Sequence, residues 1–535
     1  MSRHARPWWR SAVVYQLYLK SFLDTDGDGL GDLDGVIAKL DHIVSLGVDG
    51  IWFNPCYPSP QRDGGYDVAD YLTIDAAYGG LPVFERLLEA AHGRGLKVLL
   101  DLVPNHCSDQ HEWFQQALAA KPRSRERRRF IFADGRGPDG AEPPNDWKSM
   151  FGGPAWERVP DGQWYLHLFD VTQPDFNWDN PEVPAMFDDV LATWFERGVD
   201  GFRIDVAHGM VKAAGLPDVG DAEVNRHAWN QPGVHDIFRR WRLIADSYDR
   251  DLTLVGEAWV SPAHSAEYIR PDELHQVFYF DLTLQPFEAA AFRHSVEAAF
   301  RSISPAHGAP TWTLNNHDVH RAVSRYGLVD PQPTTSADPH AQRVRRRGGV
   351  DVELGTRRAT AAVLFMLALP GSVYLYQGEE LGLPEVQDLP DDARQDPMWV
   401  RSGHADFGRD GCRVPLPWTD GPAFGFTAGT PWLPQPAWFG DYAAARQEAD
   451  PGSVLNRYRA ALDARRDLDQ AAGLTWLETD RPDVLAFRRG DIVCVTAFDG
   501  APYAVPAEWG KLVIASGPLE QDAVLPAGHT GWFRG

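Results

Sequence analysis

The sequence predicts an α/β fold: a closed (β/α)8 TIM barrel with a subdomain inserted after the third strand and a C-terminal antiparallel β-sandwich domain. Three observations lead there. Eight short, apolar, strand-like runs are mostly followed by helical patterns, as in a parallel sheet buried on both faces, and eight such units close a barrel. Polar and acidic residues gather at the C-terminal ends of these runs, the end at which barrel enzymes build their sites. The third connection is too long for a single helix, and the tail changes to short alternating strands.

The first run, Val13 to Tyr18, is followed by Asp24-Thr25-Asp26-Gly27-Asp28-Gly29-Leu30-Gly31-Asp32. Acids at alternate places with Gly at the sixth suit an oxygen-liganded hard cation, because carboxylates so close repel without a counter-ion. The twelfth position is Gly35, where a helix–loop–helix calcium motif needs a bidentate Glu, so the segment is a different kind of acidic loop. The alternative is a solvated acidic turn. The second run, Gly50 to Phe53, precedes Asp63-Gly64-Gly65-Tyr66-Asp67, and the third is Leu96 to Leu102. Residues 105–177 then form the predicted inserted domain. Its basic stretch, Lys121 to Arg129, reads as a solvated face in so acidic a chain.

The fourth run, Gly201-Phe202-Arg203-Ile204-Asp205, places Arg203 and Asp205 on one face of a strand. The fifth, Leu252 to Val255, leads into Gly256-Glu257-Ala258-Trp259. The sixth is Gln276 to Phe280 and the seventh, Thr311 to Leu314, leads into Asn315-Asn316-His317-Asp318. The eighth is Ser372 to Tyr376, followed by an irregular region from Pro384 to about Thr430 and a helical pattern from Val454 to Arg466. Segments 484–487 and 492–496 read as antiparallel strands. The barrel is therefore assigned to 1–104 and 178–467, and the C-terminal domain to 468–535.

Composition narrows the function. Lys+Arg total 51 against 75 Asp+Glu, a formal charge of −24, which disfavours nucleic acid and anionic membranes as partners. A small or neutral substrate fits better. Twenty Trp residues supply faces that stack on sugar rings or fill a core. Cys56, Cys107, Cys412 and Cys494 form no C-x-x-C pair and read as free thiols in a reducing compartment. No run is long and apolar enough to span a bilayer, and the segment from Ala12 to Leu19 reads as a strand rather than a signal-peptide core. The expected location is the cytoplasm. Oligomeric state is not legible.

Three acids from distant stretches, Asp205, Glu257 and Asp318, each close a separate strand-like run. That is the set glycosidic bond cleavage needs: one group to attack the sugar, one to donate a proton, one to steady charge. The ordered motifs Asp101-Leu102-Val103-Pro104-Asn105-His106, Gln173-Pro174-Asp175-Phe176-Asn177-Trp178, Gly201 to Asp205, Gly256 to Trp259 and Asn315 to Asp318 resemble the α-amylase superfamily, glycoside hydrolase family 13. Within it the chain is similar to the oligo-1,6-glucosidase/α-glucosidase group, over nearly its whole length.

The resemblance implies roles. Asp205 is the nucleophile, kept ionised by Arg203. Glu257 is the general acid and then base, a task that calls for a raised pKa. Asp318 binds sugar hydroxyls more tightly in the transition state. His106 and His317 hold other hydroxyls of the same sugar. Asp63 and Tyr66 grip the terminal glucose, with Asp63 paired to Arg409 from Gly408-Arg409-Asp410-Gly411-Cys412-Arg413. Phe151 and Phe169 line the pocket or fill the small core of the inserted domain. A structural calcium ion is implied at Asp24, Asp26, Asp28, the Leu30 carbonyl and Asp32. The activity implied is a retaining, exo-acting α-glucosidase that releases glucose from maltose and short maltooligosaccharides, with no organic cofactor. Val206 resembles the α-1,6 pattern, whereas Ala207-His208-Gly209-Met210 departs from it. Oligo-1,6-glucosidase, transglucosylating, and trehalose- or isomaltulose-forming activities share these residues. A non-catalytic binding subunit of the superfamily would typically lack one of the three acids.

Overall fold

The computed structural model describes residues 7–303, 308–329, 349–521 and 523–535. Its centre is one sheet of eight parallel strands: Val13–Leu17, Gly50–Phe53, Lys97–Leu102, Gly201–Ile204, Thr253–Gly256, Gln276–Val277, Thr311–Thr313 and Ser372–Tyr376. They follow chain order around the sheet, and the eighth pairs back with the first, Val373 opposite Val13. The sixth and seventh meet only through a parallel bridge between Phe278 and Thr311, which closes the barrel. The sixth strand is shorter than the run to Phe280 predicts. Phe278 and Phe280 stack on each other, and Phe280 stacks on Trp259 with ring centroids 4.0 Å apart, so the chain leaves the ladder to build an aromatic pile.

Side chains that alternate between two buried faces explain why the strands read as largely apolar runs. Val14, Trp52, Leu99, Val255 and Tyr374 fill the barrel interior, while Val13, Tyr15, Ile51, Val98 and Leu100 meet the surrounding helices. Gly201 has no alternative on this packed wall: a Cβ there would lie 2.2 Å from the Thr253 carbonyl oxygen.

The insertion after the third strand carries a three-stranded antiparallel sheet, Phe132–Asp134, Trp156–Arg158 and Gln163–Leu166, with the last in the middle. Bridges His106 to Asp175 and Phe130 to Phe176 close its neck. The basic stretch from Lys121 to Arg129 is not simply a solvated face. Arg127 is buried, donates to the Ala117 carbonyl and Gln163, and pairs with Asp161 at 2.5 Å. Arg125 and Arg129 both pair with Glu182 at the start of the helix Glu182–Arg197, which ties the insertion to the barrel. The run is stitched down because acids lie opposite it in space, which no local pattern announces.

Helix Val454–Arg466 follows the irregular region, and a five-stranded antiparallel sheet and a two-stranded sheet then complete the chain. Leu485, Phe487, Cys494 and Trp532 of the larger sheet join the main barrel core, and Trp532 donates its indole N–H to the Leu364 carbonyl of helix Val352–Ala368. Val484, Ala486, Val493 and Val495 point the other way, into a second core with Tyr503 and Leu525 of the smaller sheet. Among the described residues no helix is long and apolar enough to cross a membrane. All four cysteines are buried and unpaired.

Candidate active site

The acids converge because their strands end on one rim of the barrel. The Asp205 amide still bonds the Leu102 carbonyl, as the ladder requires, and the Glu257 amide bonds the Ile204 carbonyl, both at 2.8 Å. Arg203 lies buried among them. Its Nη1 donates to Asp205 Oδ1 at 2.5 Å and to Asp101 Oδ1 at 2.9 Å, and its Nη2 lies 3.1 Å from Glu257 Oε2. One guanidinium therefore holds the two acids expected to react. Glu257 Oε1 also accepts from the Trp259 indole at 2.7 Å, and its Oε2 accepts from the Val206 amide at 3.0 Å.

A second cationic centre organises the third acid. Arg409 Nε donates to Asp396 at 2.6 Å, Nη1 to Asp318 at 3.1 Å and Nη2 to Asp63 at 2.6 Å. Arg413 donates to the same oxygen of Asp318 at 3.0 Å and to the His317 carbonyl at 2.9 Å. Asp63 further accepts from Gln173 at 3.0 Å, whose amide nitrogen also lies 3.1 Å from His106 Nε2. Segments from across the chain are thus joined in one charged cluster.

Rings form the walls. Tyr66 stacks on His317 with centroids 5.1 Å apart and planes within 3°, and its hydroxyl donates to Asp101 at 2.9 Å. Phe169 packs on His106 at 4.9 Å and edge-on to Phe151, over which the Arg409 guanidinium sits at 5.2 Å. Both phenylalanines also belong to a buried cluster with Trp147, Trp156 and Val206, so they serve as packing and as wall.

Burial governs the electrostatics. It drives His106 down to about 4 and His317 well below the usual imidazole range, so both rings are neutral at pH 7. Gln16 Nε2 lies 2.8 Å from His317 Nδ1, which as the accepting nitrogen leaves the proton on Nε2. Among the described residues that atom is buried without a hydrogen-bond partner, 3.6 Å from Asp318 Oδ1. Burial pushes Asp101 up to about 7 and raises Asp205 against the pull of Arg203, with Glu257 adding to the rise. Burial opposes the charge of Arg409, but Asp396, Asp63 and Asp318 hold it firmly protonated. Three guanidiniums, of Arg203, Arg409 and Arg413, face six carboxylic groups, of Asp63, Asp101, Asp205, Glu257, Asp318 and Asp396. The site is therefore built to favour added positive charge or a retained proton.

The structure brings together every sugar-site residue named from the sequence: Asp205, Glu257, Asp318, Asp63, Tyr66, His106, Phe151, Phe169, Arg203, His317 and Arg409. It adds Asp101, Arg413, Gln173 and Asp396. The first three lie inside motifs quoted above, but nothing in the sequence marks Asp396 as the partner of Arg409.

The acidic loop is separate. Ligand oxygens of Asp24, Asp26 and Asp28 come within 4.8 Å of one another. Asp24 accepts from the amides of Asp26, Gly27 and Gly29 and from the Thr427 hydroxyl. Asp32 caps the helix Leu33–Leu46 through the Gly35 amide at 2.6 Å, and its other oxygen accepts from Thr25. The three convergent carboxylates fit a hard cation, and Asp24 and Asp32 each also accept from neighbouring donors with both oxygens.

Comparison with known proteins agrees with this geometry. The model of the alpha amylase catalytic domain matches residues 16–472. A probable alpha-glucosidase of Rhizobium meliloti (strain 1021) is 37% identical over 485 residues, 86% of this chain and 83% of that protein. An oligo-1,6-glucosidase of Parageobacillus thermoglucosidasius is 35% identical over 504 residues, 87% and 84% of the two chains. The crystal structure of the alpha-glucosyl transfer enzyme XgtA superposes with a TM-score of 0.84 at 38% identity, covering 99% of this chain and all of the other. The chain is a glycoside hydrolase and belongs to the alpha-amylase family.

Proposed function

We propose that the protein is a retaining, exo-acting α-glucosidase that releases glucose from the non-reducing end of maltose and short maltooligosaccharides. The observation that carries this reading is the pairing of Arg409 with both Asp63 and Asp318, which in this reading closes the site beyond one terminal glucose. A terminal glucose fits such a cup, with Asp63 and His106 on one side and Asp318 and His317 on the other.

In this reading Asp205 attacks the anomeric carbon and Glu257 gives its proton to the leaving oxygen. Arg203 favours the carboxylate of Asp205 through its 2.5 Å bond. The glucosyl-enzyme is then hydrolysed by water that Glu257 deprotonates, which preserves the anomeric configuration. The excess of carboxylic groups over guanidiniums stabilises the positive charge that builds on the ring. The His317 Nε2 proton is available to a sugar hydroxyl. Glucosyl transfer to a second sugar is a further reading, favoured by the likeness to XgtA, since a sugar and water compete for one intermediate.

Support for a structural Ca2+ rests on the convergence of Asp24, Asp26 and Asp28, with the Leu30 carbonyl and Asp32 as further ligands. The ion would brace the loop between the first strand and its helix and take no part in the chemistry. The buried, unpaired thiols favour a cytoplasmic location.

The test is turnover of a panel of α-linked disaccharides with products identified. The reading predicts glucose from maltose, with slower release from isomaltose. A strong preference for isomaltose, or conversion of maltose to an isomer without glucose release, overturns it.

A further inference from the structure

The residue after Asp205 sits in a costly conformation. Val206 has φ of 44°, and a β-branched side chain in the left-handed region crowds its own backbone. The turn is nonetheless tied down by three of its amides. The Val206 amide donates to Glu257 Oε2 at 3.0 Å, the Ala207 amide to the Glu257 carbonyl at 2.9 Å, and the Gly209 amide to the Val206 carbonyl at 2.8 Å. The same strained peptide therefore ends the strand that presents Asp205 and orients the carboxylate of Glu257.

What holds the turn is a ring from further along the chain. Trp229 stacks on His208, centroids 5.1 Å apart and planes 26° apart, and packs edge-on to Phe169 at 6.3 Å. The next residue, Asn230, donates its amide to the His208 carbonyl at 2.7 Å, and its side chain accepts from the Tyr268 hydroxyl at 2.6 Å. Gly209 is the point of contact. A Cβ there would lie 2.6 Å from Val206 Cγ1 and 2.7 Å from Trp229 Cζ3, so the Val206 side chain and the indole both crowd the space a side chain at 209 would need.

We infer that Trp229 is a positioning residue that clamps the turn 205–209 and, through the Val206 N–H, keeps Asp205 and Glu257 aligned on one sugar. It acts through the turn and not on the substrate. Without the ring, the gain from leaving the left-handed region is free to pull Val206 out of its bond to Glu257. Glycine at 206 has no such gain, because it occupies positive φ readily.

The inference rests on the α-glucosidase reading, and the experiment separates the two. Hydrolysis of p-nitrophenyl α-glucoside is measured for the wild type, Trp229→Ala, Val206→Gly and the double variant, with Trp229→Phe run through the same cycle in case the alanine variant does not fold. We expect Trp229→Ala to lower kcat about tenfold to a hundredfold, the range that one strained residue commands, with KM changed far less. In the Val206→Gly background the same substitution should cost less than about threefold, and Trp229→Phe should show a smaller cost with the same rescue. Equal costs in both backgrounds, or an effect confined to KM, overturn the inference. A wild-type protein with no activity on the α-glucoside instead overturns the functional reading beneath it.

Discussion

Replacing Arg409 by Lys should disable the enzyme although the charge is kept. Arg409 spans three carboxylates with three different nitrogens, at 2.6, 3.1 and 2.6 Å to Asp396, Asp318 and Asp63. An ammonium on a flexible stem is a point charge and does not reproduce that fork. If Lys keeps one partner, two charge-assisted bonds are lost, each worth about 1.5–3 kcal/mol. The total, about 3–6 kcal/mol, corresponds to a fall of roughly a hundredfold to ten-thousandfold in kcat/KM if it all appears in transition-state binding. Arg413 stays on Asp318, so the loss should fall most heavily on recognition at Asp63. The assay is kcat/KM on p-nitrophenyl α-glucoside and maltose, with circular dichroism to verify folding. A folded Arg409→Lys variant within fivefold of wild type would refute the claim that this fork builds the closed end.

Lys212 Nζ is buried against Asn105 Oδ1 at 2.8 Å, the Gly209 carbonyl at 2.5 Å and Asp175 at 2.7 Å, which pins the inserted domain to the barrel. Lys212→Met leaves Asp175 buried without its cation and should cost about 3–5 kcal/mol, read as a lower denaturant midpoint; an unchanged midpoint contradicts it. His106, held down to about 4 by burial, stays neutral while its unfolded form takes a proton below about 6.5. Its contribution is thus complete above pH 6.5 and is lost as pH falls to 4. The stability difference between wild type and His106→Asn should therefore shift by about 3 kcal/mol against the wild type over that window, measured by urea unfolding at each pH; a pH-independent difference contradicts it. Chelation by EDTA should lower the thermal midpoint and Ca2+ should restore it. Asp28→Asn should remove that response while leaving kcat on the α-glucoside unchanged; a midpoint indifferent to both would remove the ion from the account.

The barrel was legible because strands buried on both faces are mostly apolar, and all eight runs reappear as strands of one sheet. The three acids were legible because a barrel puts strand ends on one rim, so residues distant in sequence can be placed together from topology alone. Two features were not. Phe278 to Phe280 has the composition of a strand, yet its rings find better partners in each other and in Trp259 than in the ladder. Asp396 lies in an irregular stretch with no periodicity, and only the folded chain sets it against Arg409. The left-handed Val206 is the sharpest case, since local preference argues against that conformation and only the contacts of Glu257, Gly209 and Trp229 impose it.

The central claim is that Asp205 bonds covalently to the sugar while Glu257 handles the proton. A mechanism-based fluorinated α-glucosyl fluoride, incubated with the protein and followed by peptide mass spectrometry, tests it directly. One glucosyl adduct is expected, on the peptide that carries Asp205 and on that side chain, with hydrolysis of the parent α-glucoside giving α-glucose first. An adduct on another acid, or β-glucose as the first product, would contradict it.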